Sequence, residues 1–293
     1  MSSLECLTLP DGRSLEVWAG GDPSGRTLVF HNGTPSSGRP LRVVERAAEQ
    51  SGLRLVSITR PGYSGSTRLP DRAVTDVVQD AAHVLEALGV RTCVVAGWSG
   101  GGPHALACAA RLPQARAVAC IAGVGPSGTE DLDFTAGMGE DNVQEFDAAL
   151  DGEAALRVWL DEVNAVMRDL QPADLVRSMD SLLSESDKAV MDEECAGDLA
   201  AGFREAVRNG VDGWLDDDLA FAKPWGFDLG EISIPSFIWQ GSADLMVPFD
   251  HGRWLVSHVP GAVGHLDDGA GHFSVALGRL EAIFAELVAA TTD

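Results

Sequence analysis

A serine, an aspartate and a histidine, in that order along the chain, stand in surroundings suited to nucleophilic catalysis. Ser99 lies in Val94-Val95-Ala96-Gly97-Trp98-Ser99-Gly100-Gly101, where an apolar, β-branched run ends in Gly-x-Ser-x-Gly and a small-residue helical stretch follows. This is the sequence form of a nucleophile elbow, a strand-to-helix turn that lifts a hydroxyl above a sheet. The turn is tight enough that the positions two before and two after the serine have no room for a side chain, hence Gly97 and Gly101. Ser99 then stands at a helix N-terminus, where the N–H of Gly100 can face a developing oxyanion.

A serine nucleophile needs a base, and the base needs an acid to fix its tautomer. On this type of sheet both follow the serine, acid first, on loops leaving late strands. Asp244 fits the acid: it sits in the loop 241–248 that leaves the apolar run 237–240. Among the seven histidines, His272 follows the last expected strand and precedes the last helix. Its neighbours Gly269 and Gly271 are read as permitting close approach to the serine. His265 is the competitor and is read as structural. His104, five residues into the helix after Ser99, points away from the hydroxyl. His83, His251 and His258 are read as surface or packing residues, and His31 as support for the loop after its strand. A second oxyanion donor is expected in Asn32-Gly33-Thr34-Pro35. The Thr34 amide is the choice, since Pro35 has no N–H, with Gly33 turning the chain beneath the substrate.

These residues require a scaffold. Strands are expected at 4–9 and 14–18 (an opening hairpin), then at 27–31, 53–58, 92–96, 117–122, 236–240 and 262–266. Helices are expected at 41–50, 74–88, 100–111, 249–259 and 273–290. Strands alternating with helices mean βαβ units and a largely parallel sheet. Between about 127 and 230 no strand pattern occurs. Helices at 143–150, 154–170, 172–185 and 189–209 are predicted there, in an acidic segment carrying Trp159, Trp214, Trp225 and four Met. Gly210, Gly213, Pro224 and Gly226 look like a hinge at its end. The expected division is a core of 1–126, a helical cap of 127–230 over the sheet's carboxyl edge, and a second core part of 231–293.

The chain has 293 residues, 45% of them apolar, which suits one large α/β domain with an insertion. Its 44 acids against 21 bases give a formal charge of −23. Nucleic acid and anionic membranes need basic patches, so neither is expected as a partner. No secretory signal and no membrane span is visible, and the five cysteines lack CxxC spacing. They read as reduced residues of a cytoplasmic protein. No His/Cys/Glu cluster has ligand spacing, so neither a metal nor a cofactor is expected.

In order along the chain stand Asn32-Gly33-Thr34-Pro35, Arg60-Pro61-Gly62-Tyr63-x-Gly65-Ser66, Gly97-Trp98-Ser99-Gly100-Gly101, Gly241-x-x-Asp244-x-x-Val247-Pro248 and Gly271-His272. On these motifs the chain resembles the α/β-hydrolase superfamily with a helical cap, over about 27–125 and 231–290. The resemblance implies that fold and a Ser99-His272-Asp244 triad. It extends in part to the proline iminopeptidase-like group, whose His-Gly-Gly-Pro-Gly and Gly-Gly-Ser-Trp-Gly-Ser stand here as His31-Asn32-Gly33-Thr34-Pro35 and Gly97-Trp98-Ser99-Gly100-Gly101. Haloalkane dehalogenases of the same fold place an aspartate where this chain has Ser99.

The expected function is a cofactor-independent serine hydrolase working through an acyl-enzyme on a small-molecule substrate, an ester or lactone with an apolar acyl part. Trp98, Trp159, Met167 and Trp214 are the expected pocket residues. A second reading is an aminopeptidase of the iminopeptidase type. Asp216, Asp217 or Asp218 would then bind the substrate ammonium, although these three fit a solvated surface better. A third is a non-catalytic receptor for a small molecule. The sequence leaves the oligomeric state open.

Overall fold

The computed structural model describes residues 3–291. Its centre is an eight-stranded sheet in the order β1-β2-β4-β3-β5-β6-β7-β8. The strands are β1 Ser3–Thr8, β2 Ser14–Gly21, β3 Arg26–His31, β4 Leu53–Ile58, β5 Cys93–Trp98, β6 Ala115–Ile121, β7 Ser236–Gly241 and β8 Val263–Asp267. β1 pairs with β2, and β2 with β4, antiparallel; every later pairing is parallel. The crossovers are α1 Arg42–Gln50, α2 Val77–Ala87, α3 Gly101–Arg111 and α10 Phe249–His258, and the chain closes with α11 His272–Leu277 and α12 Leu280–Ala289.

The central strands read as continuous apolar runs because helices cover both faces of the sheet. Along β5, Cys93 and Val95 join the core with Val84 of α2 and Leu106 of α3. Val94 and Ala96 join the opposite core with Val44 of α1 and Ile283 of α12. The side-chain period of two thus puts alternate residues of one strand into two separate cores. All five cysteines are free, and Cys93, Cys108, Cys120 and Cys195 are buried. Among the described residues no helix is long and apolar enough to cross a membrane.

Between β6 and β7 the chain leaves the sheet and builds α4 Glu140–Asp151, α5 Glu153–Met167, α6 Pro172–Ser178, α7 Glu185–Val190, α8 Glu193–Ala206 and α9 Asp212–Phe221. It returns to pair β7 directly beside β6. The helices depart from expectation in three places, two of them in this insertion. The helices expected at 172–185 and 189–209 are shorter pieces, because Ser184 and Asp192 cap new N-termini by accepting the amides of Asp187 and Cys195. The expected hinge after 209 is instead helix α9. Gly213 lies inside it, against Tyr63, where a Cβ would come within 2.6 Å of the ring. The closing helix is broken at Gly278 into α11 and α12.

Candidate active site

The strained point is Ser99, held at φ +57° between β5 and α3. Left-handed backbone costs a non-glycine residue roughly 1–3 kcal/mol, so the surrounding packing must enforce it. A Cβ on Gly97 would lie 2.1 Å from the Gly101 carbonyl oxygen, and one on Gly101 would lie 2.0 Å from that of His31. Both glycines are therefore required by close backbone approach.

Asp244 is 4% exposed on the loop leaving β7. Its Oδ1 accepts the amides of Met246 and Val247 at 2.9 and 2.8 Å, and its Oδ2 accepts Gln240 Nε2 at 3.1 Å. The same Oδ2 lies 2.8 Å from Nδ1 of His272, the first residue of α11. That bond places the ring proton on Nδ1 and leaves Nε2 free to accept another. Ser99 and His272 line one cavity of about 360 Å³. Among the described residues no hydrogen bond joins the two side chains; contacts of this kind are often long until substrate binds.

Thr34 and Gly100 flank the serine on the same cavity. They approach so closely that a Cβ on Gly100 would lie 2.4 Å from Thr34 Oγ1. Among the described residues neither amide donates a hydrogen bond within the protein, so both remain available to an oxyanion. Gly33 packs beneath, 3.2 Å from Ser99 Cβ by the same measure.

The loop bearing Thr34 is held from behind by Arg60. Its guanidinium donates to the carbonyls of Asn32 and Gly33 at 2.6 and 2.8 Å and to Thr34 Oγ1 at 2.9 Å. Arg60 in turn pairs with Asp217 of α9, which also accepts from Arg72, Tyr63 and Thr34. Burial alone would raise the Asp217 pKa, but the charges of Arg60 and Arg72 outweigh it and hold the carboxyl well below its ordinary value. Burial lowers His104 behind the loop, against the raising pull of Asp217, whose Oδ1 lies 3.4 Å from its Nε2. His31, fully buried with Nε2 3.6 Å from Cys108 Sγ, is depressed by burial as well.

The expected pocket residues Trp98, Trp159, Met167 and Trp214 all line the cavity. Trp98 lies 5.6 Å from the His272 ring, and Trp159 meets Trp214 edge-on at 6.0 Å. Two acids interrupt this wall. Glu145 of α4 accepts Trp214 Nε1 at 2.5 Å, and Asp218 of α9 lies beside it. Burial pushes Glu145 up to about 7; burial, then the Glu145 charge, pushes Asp218 well above the carboxylate range.

Asp216, Asp217 and Asp218, expected on a solvated surface, are therefore all buried, at 3%, 0% and 1% exposure. Asp216 is held by Arg68 through two bonds of 2.8 and 2.9 Å. Gly271 also has a different reason from the one expected. The space its side chain would fill is taken by Ser184 and Asp187 of the insertion, not by the serine. His265 stacks on Trp239 at 3.9 Å and meets Glu286 at 2.9 Å, and it does not line the cavity. His251 is a packing residue that bridges Gly125 and Phe134. Sequence reasoning did not single out Arg60, Glu145, Asp187 or Asp217 for these roles. Their nearest signal is the acidic triplet itself, placed between Leu215 and Leu219 where an apolar helix would be expected.

With the elbow, its neighbours and the sheet in place, the pattern of known alpha/beta hydrolase fold proteins matches residues 26–278. The chain belongs to the alpha/beta hydrolase family. No curated protein sequence matches it significantly. Among solved structures, an alpha/beta hydrolase fold protein from Nakamurella multipartita is similar at 24% identity and TM-score 0.69, over 99% of this chain and 100% of that one. A thermophilic esterase from Thermogutta terrifontis is similar at 18% and 0.67 over the whole of both chains. An enol-lactonase from Burkholderia xenovorans LB400 is similar at 18% and 0.65, over 99% and 100%. These alpha/beta hydrolases share the fold with the chain.

Proposed function

We propose that this alpha/beta hydrolase family member is a serine hydrolase that cleaves a small ester or lactone with an apolar acyl part. The observation that carries the reading is the 2.8 Å bond from His272 Nδ1 to Asp244, beside a strained Ser99 on the same cavity. Ser99 Oγ attacks the carbonyl carbon while His272 Nε2 takes its proton. The amides of Thr34 and Gly100 bind the resulting oxyanion. Its collapse breaks the bond to the alkoxide, which leaves with the proton from His272. Water, activated by the same imidazole, then cleaves the acyl-enzyme. The aromatic wall of the insertion, acting as a cap, supports an apolar acyl group. The esterase and lactonase among the similar structures are compatible with that substrate class.

A second reading, hydrolysis of an aminoacyl amide, is favoured by the Glu145–Asp218 pair, which could face an ammonium from the cavity wall. Asp216 and Asp217 are already committed to arginines. Turnover of p-nitrophenyl esters compared with a prolyl-naphthylamide separates the two. The ester reading expects hydrolysis of the esters, lost in Ser99→Ala, and none of the amide. Preferred cleavage of the amide would replace it. A cavity that binds small molecules while the protein turns over neither substrate would instead support a receptor.

A further inference from the structure

We propose that Asp187, on α7 of the insertion, is a positioning residue for His272; the inference rests on the hydrolytic reading above. The short helix α11 opens with His272, and its N-cap is Gly271, which has no side chain to receive the first amides. Asp187 receives them from across the molecule. Its Oδ2 accepts the amide of His272 at 3.0 Å, and its Oδ1 accepts those of Phe273 and Ser274 at 2.7 and 2.9 Å. The carboxylate is fully buried and steadied by Ser184 Oγ, which donates at 2.8 Å. A Cβ on Gly271 would lie 2.2 Å from Asp187 Oδ2 and 2.1 Å from Ser184 Oγ, so glycine there keeps the place open.

The consequence is chemical as well as structural. The backbone of residues 272–274 sets where the imidazole stands, and 85 residues separate His272 from the carboxylate that holds its amide. Asp244 on the β7 loop and Asp187 on α7 are the two acids hydrogen-bonded to His272, one at the ring and one at the amide. Loss of the Asp187 carboxylate therefore misplaces the ring relative to Ser99 and Asp244.

The test is steady-state ester hydrolysis against pH for the parent, Asp187→Asn, Ser184→Ala and Gly271→Ala, with melting temperatures alongside. Asp187→Asn keeps the shape but turns an amide group toward amide donors. It is expected to lower kcat on the order of 10–100-fold, the cost of misplacing a catalytic group, with KM unchanged and the shape of the pH profile retained. Gly271→Ala, which displaces the carboxylate from the other side, is expected to lower kcat likewise, and Ser184→Ala to lower it less. These two keep the assignment testable if Asp187→Asn does not fold. An active parent whose folded variants keep kcat, losing only melting temperature, would make Asp187 a helix cap and nothing more. A parent that hydrolyses neither ester nor prolyl-naphthylamide fails at the earlier step, and takes the base and this assignment with it.

Discussion

The sheet core and the helical insertion supply different things to one cavity. From the core come Ser99, His272 and the amides of Thr34 and Gly100, with Asp244 behind the imidazole; His272 opens α11 and the others lie on loops leaving strands. From the insertion come the aromatic wall and two buried carboxylates, Asp217 behind the oxyanion loop and Asp187 at the amide of His272. In this account the core carries out the chemistry, and the insertion both shapes the cavity and holds two of the core's loops in place. An insertion tied down at two such points is part of the site's framework as well as its cover.

The largest effect is expected at the base. His272→Ala should lower kcat by about 10³-fold or more, as expected for a general base acting with its nucleophile, with little change in melting temperature. His265→Ala should do the reverse, since it removes the Glu286 contact and the stack on Trp239 while leaving the cavity intact. Kinetics and thermal melts of both variants decide it, and the opposite pattern would move the base to His265.

On the insertion side, Asp217→Ala leaves Arg60 and Arg72 buried without their partner. Breaking such a buried pair costs about 3–5 kcal/mol, read as a lower midpoint in denaturant unfolding. Because Arg60 also holds the carbonyls of Asn32 and Gly33, activity should fall even in the fraction that remains folded. Normal kcat per folded molecule would separate the insertion from the oxyanion loop.

The wall sharpens the comparison at smaller cost. Trp159→Ala, Met167→Ala and Trp214→Ala should change the ratio of kcat/KM between short and long acyl esters, by roughly 1–3 kcal/mol per methylene accommodated or rejected. They should leave labelling of Ser99 intact. If all three keep the parent's ratio, specificity lies in the core loops around Trp98 and Thr34.

The smallest expected effect is a pH dependence of stability. Burial raises Glu145 from its ordinary 4.5 to about 7 in the folded protein. The folded state then holds a proton that the unfolded chain releases. This contribution is complete below about pH 4.5 and is lost as pH rises through about 7. The buried histidines His31, His104 and His251, held below their ordinary value, act in the opposite sense. The Glu145 contribution is therefore read as the difference in melting temperature between the parent and Glu145→Gln. That difference should fall between about pH 4.5 and 7. An unchanged slope in the variant would mean that Glu145 is ionised in the fold.

The two regions also differ in how much of them could be read from sequence. The elbow is legible because its requirements are local. Gly97, Ser99 and Gly101 lie within five residues, and the acid and base follow in a fixed order on loops after apolar runs. The insertion's contributions rest on contacts between distant parts of the chain. Thr34 and Asp217 are 183 residues apart, and nothing near either residue announces the other. The acidic triplet on α9 looks like solvated surface because three neighbouring aspartates usually are. Only the packing shows that one meets Arg68, one meets Arg60 and Arg72, and one faces Glu145. Gly271 reads as a glycine that makes room for Ser99, whereas the room is taken by Ser184 and Asp187, which no local pattern announces.

The proposed mechanism requires one nucleophile, the serine raised by the elbow. Labelling the folded protein with a fluorophosphonate and mapping the modified peptide identifies it. One adduct per chain is expected, on Ser99, with loss of ester hydrolysis in proportion to labelling and no adduct in Ser99→Ala. An adduct on another serine, or a folded Ser99→Ala protein that still labels and turns over ester at the parent rate, would contradict the mechanism.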